Sequence, residues 1–222
     1  MKKIIIALLV LVPATLFAAS TVVTYTTKTG DTINGQEVVA GQRIKVYQTT
    51  QTPPPVTPPS TGGEVRVQIY DTYYGWPDNT PHNSSILSTG AQASGDGTYA
   101  NPITAASGYV GSKLDYPYGT KFYVPNDRKY YVVGDECGDV SDGSVACHTD
   151  LDHPGVPQID LWGGGVGSKY GTAAGKAAMS CEDDHTRINT VIFNPASNYV
   201  VVPGTIYTTG CGAQYGDTAV TQ

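Results

Sequence analysis

The sequence predicts an all-β protein built on a closed or nearly closed barrel of about six strands with long loops. Short segments that alternate apolar and polar residues recur from residue 64 onward. Glycine and proline clusters separate these segments, and the chain of 222 residues contains 26 Gly and 15 Pro. Only residues 173–179 have a helix-like composition, and Gly175 interrupts them. Short strands bounded by turn residues are typical of barrels and sandwiches.

The N-terminus predicts a secretory signal peptide over residues 1–20. Two lysines follow Met1, a short apolar run comes next, and small residues end the segment. This order of charged, apolar and small residues is that of an export signal. A buried strand or an anchor helix is the alternative. We expect a secreted protein, extracellular or periplasmic, with no membrane association once the signal has been cleaved.

Three further segments follow the signal. Residues 21–50 alternate in β fashion between turn signals, which predicts a small β segment and a possible binding module. Residues 51–63 (QTPPPVTPPSTGG) form a Pro/Thr/Gly linker, which favours an extended spacer. Residues 64–222 are then the main domain, a length sufficient to bury a core.

The strands predicted in the main domain are short and evenly distributed. They cover residues 65–70, 98–105, 121–124, 129–133, 158–162, 190–194 and 199–202. The acidic segment Cys181–His185 is predicted to begin a short helix, because acids are favoured in a first turn.

Charge excludes two classes of partner. Without Lys2 and Lys3, 11 basic residues remain against 19 acidic ones, a net charge of −8. Such a surface does not attract phosphate backbones, so we expect no nucleic acid and no anionic membrane as a partner. The chain also contains 16 Tyr, whose rings suit both sugar stacking and ordinary sheet packing. We expect a monomer.

The four cysteines predict two disulfides, as an even count does in an exported chain. Three pairings are possible, and local closure favours Cys137–Cys147 with Cys181–Cys211. A zinc site is the alternative, but the chain has no Cys-x-x-Cys pair. We therefore expect neither a metal nor another cofactor.

Two acids stand out at the ends of predicted strands. Asp135 follows an apolar strand close to Cys137. Asp160 lies between Ile159 and Leu161, so that period-two alternation directs it to the opposite face. Two carboxyls facing a cleft can divide acid and base roles, the drier one keeping its proton. An Asp that binds backbone amides in a loop is the alternative for Asp160.

Three segments carry a family resemblance. They are Tyr74-Gly75-Trp76-Pro77-Asp78-Asn79, residues 97–104 (GTYANPIT) and Ile159-Asp160-Leu161-Trp162. Together they resemble the double-psi β-barrel superfamily, which includes barwin-like proteins, expansins, rare lipoprotein A, family 45 endoglucanases and the barrel domain of membrane-bound lytic transglycosylase A. The likeness covers roughly residues 64–211.

The resemblance implies a six-stranded double-psi barrel with an open polysaccharide groove. It implies that Asp160 corresponds to the catalytic acid of the hydrolytic relatives. It also implies that Asp135 corresponds to the Asp that opens the Asp-x-Gly segment of the lytic transglycosylase barrel. Gln158 stands where expansins and rare lipoprotein A carry a histidine. Expansins keep much of this site yet loosen walls without clear hydrolysis.

Candidate glycan-binding residues surround these two acids. Four aromatic residues are candidates for stacking on sugars, with core packing as the alternative for each: Tyr74, Trp76, Tyr99 and Trp162. His148 and Asp150 belong to a polar loop after Cys147 that could reach the groove. A metal site in this loop is the alternative, but the spacing matches no strong metal template.

The sequence thus favours a barrel that engages a cell-wall glycan resembling cellulose, chitin or peptidoglycan. Whether it also cleaves the glycan stays open at this point; as an enzyme it would be a glycoside hydrolase or a lytic transglycosylase, with Asp160 as general acid and Asp135 as base or stabiliser. The alternatives are a non-catalytic, expansin-like wall-binding protein and a barwin-like effector that binds another protein.

Overall fold

The computed structural model describes residues 20–26, 32–33, 36–37, 43–49, 63–110, 113–137, 147–148, 153 and 155–222. The chain divides into two compact units, residues 1–52 and 53–222. The predicted signal peptide and linker lie outside the described residues except for Ser20 and Gly63. In the described part, no helix is both long and apolar enough to cross a membrane.

The first unit contains two strand pairs. Strand β1 (Ser20–Thr26) pairs antiparallel with β4 (Arg43–Thr49), and β2 (Thr32–Ile33) pairs antiparallel with β3 (Gln36–Glu37). Both long strands alternate Thr, Val, Ile and Tyr with polar residues, the composition that favours a pleated surface. All four strands except Ser20 lie within residues 21–50, the segment predicted as β.

The second unit is a closed barrel of six strands, which confirms the predicted fold class. The strands are β5 (Val65–Gly75), β6 (Ile103–Ser107), β9 (Lys121–Val124), β10 (Lys129–Glu136), β11 (Gln158–Gly164) and β12 (Arg187–Phe193). A small hairpin, β7 (Tyr109–Val110) with β8 (Lys113–Leu114), follows β6. One helix, α1 (Ala173–His185), lies between β11 and β12.

The barrel has an internal two-fold pattern of strand pairing. Around the ring the order is β10-β6-β11-β5-β12-β9, with β10–β6 and β11–β5 parallel and the other four pairs antiparallel. Exchanging β5, β6 and β9 with β10, β11 and β12 in that order reproduces every neighbour and every direction. The chain therefore repeats one three-strand arrangement twice to close the barrel.

Alternation along the strands fills the interior. Ile159 and Leu161 on β11 are fully buried, as predicted, and pack in one cluster with Ile69, Ile103, Phe122 and other residues of all six strands. Full closure leaves no unpaired strand edge at the wall, which is the physical advantage of a barrel over an open sheet.

Some predicted bounds are wrong. The segment predicted as strand from Thr98 becomes β6 only at Ile103, because Thr98–Asn101 form a turn around the Asp96 carboxylate. The segment predicted over residues 199–202 makes only an isolated bridge at Tyr199. Cys181–His185 ends helix α1 instead of beginning a helix, because Cys181, Glu182 and His185 bury one face of the last turn.

The predicted disulfide pairing is confirmed. Cys137 is bonded to Cys147, and Cys181 to Cys211. The first bond ties the end of β10 to the segment before β11, and the second ties α1 to the C-terminal segment. Each bond closes a loop and so lowers the conformational entropy of the unfolded chain.

Candidate functional site

The two acids identified from the sequence lie in one row across the barrel wall. Asp135 on β10 pairs with Ala106 on β6, and Ala106 pairs in turn with Asp160 on β11. Thr72 on β5 continues the row on the other side of Asp160. Residues paired directly across strands project to the same face of a sheet. Two strand spacings separate the two acids, about 10 Å between Cα atoms, and Ala106 between them is 2% exposed and packs against the Cys137–Cys147 disulfide.

Asp135, Ala106 and Asp160 of this row form the floor of a pocket of about 410 Å³. The volume falls in the range of small-ligand sites. The lining residues come from β5, β6, β10, β11 and the long loop after β5, and they are Tyr74, Asp78, Asn79, Thr80, Ile86, Ser88, Ala106, Asp135, Glu136, Cys137 and Asp160. Four of them are acids, so the pocket suits a neutral or cationic ligand and repels an anionic one.

Asp160 is partly buried in the pocket floor. Thr72 Oγ1 donates to its Oδ1 at 2.7 Å, and the disulfide sulfur of Cys137 lies 3.7 Å from its Oδ2. The pKa of this carboxyl is raised to about 7, chiefly by burial; the charges of Asp78 and Asp135 contribute to the rise, and the Thr72 hydrogen bond opposes it. Desolvation favours the neutral acid. Asp160 can therefore hold a proton near neutral pH and deliver it to a bound ligand.

Asp135 is surrounded by donors. Its Oδ1 accepts from the Ser88 N–H at 2.8 Å, the Ser88 hydroxyl at 2.5 Å and the Glu136 N–H at 2.9 Å. Its Oδ2 accepts from the Tyr74 hydroxyl at 3.2 Å. Four donors satisfy the acceptor sites of this carboxyl. Asp135 and Asp160 thus lie in different environments, because Asp135 is 5% exposed and accepts four hydrogen bonds, whereas Asp160 accepts a side-chain hydrogen bond from Thr72.

Tyr74 and Gln158 support this pair from β5 and β11. The Tyr74 hydroxyl orients Asp135, and its ring packs edge to face on Trp162 at 5.3 Å between centroids. Gln158 donates to Thr72 Oγ1 at 3.4 Å, so it reaches Asp160 through the threonine hydroxyl. Tyr74 lines the pocket as predicted, although its hydroxyl is already engaged by Asp135.

The predictions for the other three aromatic residues are not supported by their positions. Trp162 is 2% exposed and lies in the core, so it cannot stack on a glycan. Trp76 is half-buried against the same core cluster and does not line the pocket. Tyr99 is exposed, but it packs on Tyr130 under the Lys121 ammonium, also outside the pocket lining.

The polar loop after Cys147 does not contribute a described residue to the pocket. His148 Nδ1 contacts both carboxylate oxygens of Asp115, at 2.8 and 2.9 Å, and it is not among the lining residues. The contact with Asp115 thus places His148 outside the pocket in which it was predicted to bind glycan. Asp150 lies outside the described residues.

Sequence reasoning missed four residues that matter at this site. Asp78 and Ser88 come from the irregular loop after β5, and Glu136 ends β10. Tyr118 is 47% exposed, and its hydroxyl donates to Glu136 Oε1 at 2.8 Å, which places an aromatic ring at the pocket margin. Asp78 has a usable signal, because it is a carboxyl in a Gly/Pro/Asn loop directly after a strand; Ser88 has none.

Two groups of potential metal ligands occur among the described residues, Cys137–Cys147–Asp160 and Cys181–His185–Cys211. In each group the two sulfurs are bonded to each other. A disulfide sulfur is not a thiolate and does not serve as a metal ligand, so neither group forms a metal site.

Fold and site together define a class of protein: a disulfide-bonded mixed barrel of six strands with an acidic pocket on its wall. The family profile described as "DDB_G0273701 N-terminal domain" matches residues 66–214, and the chain belongs to this family. That range contains the whole barrel apart from Val65 and every residue of the pocket.

One relative is an "Uncharacterized protein DDB_G0273701/DDB_G0273221" of Dictyostelium discoideum. It is 30% identical over 167 residues, which cover 73% of this chain and 67% of the relative. No solved structure matches the chain.

Proposed function

We propose that the barrel is a double-psi β-barrel that binds a cell-wall polysaccharide in the acidic pocket and cleaves it with Asp160 as general acid. The observation that carries the proposal is the pair of unlike carboxyls on one pocket floor. Asp160 is desolvated, with its pKa raised to about 7. Asp135 accepts four hydrogen bonds. Two carboxyls that lie in unlike environments are usually assigned the separate roles of acid and base.

The strand pairing supports the fold part of the proposal. Two parallel neighbours, β10–β6 and β11–β5, are related by the two-fold exchange of three-strand halves. A double-psi barrel is likewise a six-stranded barrel, and the sequence resemblance already pointed to it. The two disulfides are compatible with export, which a wall-acting protein requires.

In the proposed reaction the protonated Asp160 donates to the glycosidic oxygen of the leaving sugar. Asp135 stabilises positive charge at the sugar or activates a water on the opposite face. Both carboxyls line one pocket of about 410 Å³, so that a sugar bound there would contact both. Inverting enzymes hold their two carboxyls roughly 6.5–9.5 Å apart and retaining enzymes about 5–5.5 Å apart, so the measured carboxyl separation would indicate the stereochemistry.

The test is an assay of the purified full chain on insoluble cellulose, chitin and peptidoglycan. Sedimentation measures binding, and mass spectrometry of the supernatant identifies reducing or anhydro ends. Soluble products from one glycan support the proposal, and the type of end distinguishes hydrolysis from transglycosylation. Absence of both binding and products on all three glycans contradicts it.

A second candidate is an expansin-like protein that binds glycan without cleaving it. Gln158 favours this candidate. Its amide lies beside Thr72, at the position where expansins and rare lipoprotein A carry a histidine, and an amide has no titratable proton. This candidate predicts sedimentation with a glycan and no soluble product in the same assay.

The pH dependence follows from the raised pKa of Asp160. A general acid must be protonated, so product release should be fast below about pH 7 and fall as pH rises through that value. The alkaline limb of the kcat/KM profile measures this ionisation. A rate that stays constant from about pH 6 to about pH 9 would exclude Asp160 as the proton donor.

Tyr118 is the exposed ring best placed to stack on a bound sugar. Tyr118→Ala should weaken glycan binding by about 1–2 kcal/mol, roughly tenfold in Kd, as measured by depletion isotherms on the glycan. Tyr118→Phe keeps the ring and should bind nearly as well, although it loses the bond to Glu136. Tyr215→Ala is the matched control, because it removes an exposed ring that packs against Arg128, whereas Tyr118 bonds to the pocket residue Glu136. Equal affinities of Tyr118→Ala and wild type would remove Tyr118 from the binding surface.

A further inference from the structure

A carboxyl group lies buried behind the pocket, where the proposed reaction does not use it. Glu182 in the last turns of α1 is 3% exposed. Its side chain occupies space left by two strand-end glycines. A Cβ on Gly75 would overlap Glu182 Oε1, and a Cβ on Gly163 would lie 3.1 Å from the same atom. The ends of β5 and β11 are therefore shaped around this carboxyl.

No N–H or O–H group of the described residues donates to either oxygen of Glu182. Gly75 brings the carboxyl of Asp78 to this site, because its N–H donates to Asp78 Oδ1 at 2.8 Å while Glu182 Oε1 packs against the same glycine. The two carboxyls are thus within hydrogen-bonding reach. Two ionised carboxylates are acceptors only and repel each other. They can bond when one of them keeps a proton and donates it to the other.

Among the described residues, three acids act on Glu182 by their charge. Asp78 comes from the loop after β5, Asp160 from β11, and Asp183 from the helix itself. Burial is the largest cause of a pKa of about 9 for Glu182, and the charge and hydrogen bond of Asp78 add to it. Asp78 is in turn one of the charges that raise the pKa of Asp160. Asp78 therefore connects the buried acid to the pocket floor.

We propose that Glu182 keeps its proton at neutral pH and donates it to Asp78, acting as a positioning residue that holds Asp78 beside Asp160. The two carboxyls then share one proton and one negative charge at the pocket wall. That charge helps Asp160 to remain protonated. The consequence for Asp160 rests on the proposed function, whereas the shared proton does not.

The shared proton is tested by stability against pH, without any glycan. The folded state binds more protons than the unfolded chain between the ordinary Glu pKa of about 4.3 and the folded value of about 9. Stability is thus fully present below the unfolded pKa and is lost as pH rises toward the folded one. The unfolding constant of wild type should rise with pH by up to about tenfold per unit more than that of Glu182→Gln.

Glu182→Gln is the matched variant, because its amide can donate to Asp78 but cannot ionise. Asp184→Asn changes an exposed acid of the same helix and should keep the wild-type slope. Urea unfolding at several pH values, with the disulfides intact, measures all three. The infrared difference spectrum of wild type minus Glu182→Gln at pH 7 should contain a protonated-carboxyl band, because the protonated forms of Asp71 and Asp160 are present in both proteins and cancel. Identical pH slopes for wild type and Glu182→Gln, or no such band, would overturn the shared proton.

The positioning role has its own readout once a cleaved glycan is known. Glu182→Leu removes the donor to Asp78, so the alkaline limb of the kcat/KM profile should move to lower pH. Glu182→Gln should restore the limb to its wild-type position. A limb that stays unmoved in Glu182→Leu contradicts the positioning role. If no glycan is cleaved, the stability and infrared results still decide whether the proton is shared, so failure of the two proposals can be distinguished.

Discussion

Replacing Asp160 with asparagine should lower glycan product release by about a hundred- to ten-thousandfold, the usual contribution of a general acid. Asparagine has nearly the same volume, and its Oδ1 can still accept the Thr72 hydroxyl that bonds Asp160 at 2.7 Å. It has no proton to donate at any pH. The effect should therefore appear in kcat, with glycan sedimentation close to that of wild type.

The fold should tolerate this change, because near neutral pH the asparagine replaces a carboxyl that is already about half protonated. Asp184→Asn, which removes an exposed charge outside the pocket lining, is the control and should release products at the wild-type rate. Product release by Asp160→Asn within a few-fold of wild type would disprove the acid role. Equal losses in both variants would point to net charge instead of position 160.

The strands of the barrel wall were largely predictable, because the alternation of apolar and polar residues is a local signal in the sequence. Period-two alternation gave β9 its observed bounds, Lys121–Val124, and put Ile159 and Leu161 in the core with Asp160 on the other face. The end of α1 was not predictable in the same way. Three acids in succession predict the first turn of a helix. Burial of Cys181 and His185 against the barrel instead makes this segment the last turn.

The site was predictable only where its residues belong to strands. Asp135 and Asp160 were found as acids in or after alternating runs, but the sequence does not reveal that both pair with Ala106. That adjacency depends on strands that are distant in the chain. Asp78 and Glu182 approach each other from a loop and a helix, and no spacing rule links them.

Trp162 shows the converse error. By alternation it shares a face with Asp160, which led to the prediction of a sugar platform. In the structure, Tyr74 covers its ring and the core cluster encloses it. A period of two tells which face of a strand a residue occupies, but not whether another part of the chain covers that face.

The largest expected effect on stability comes from Asp127, which is 1% exposed. Its Oδ2 accepts the hydroxyls of Tyr73 and Tyr131 at 2.7 and 2.6 Å, and its Oδ1 lies 3.2 Å from His185 Nδ1. Asp127→Ala leaves the two buried hydroxyls without an acceptor, at about 1–3 kcal/mol each. We expect the free energy of unfolding to fall by about 4 kcal/mol, measured by urea denaturation with both disulfides intact.

Asp127→Asn separates lost hydrogen bonds from lost charge. Its Oδ1 can still accept a tyrosine hydroxyl, so the loss should be about 1–2 kcal/mol. The neighbouring Asp71 is also buried, with a pKa raised well above its usual value by burial and by the charge of Asp127. Asp127→Asn removes that charge and offsets part of the cost. A free energy of unfolding for Asp127→Ala within about 1 kcal/mol of the wild-type value would show that this hydrogen-bond network does not stabilise the barrel.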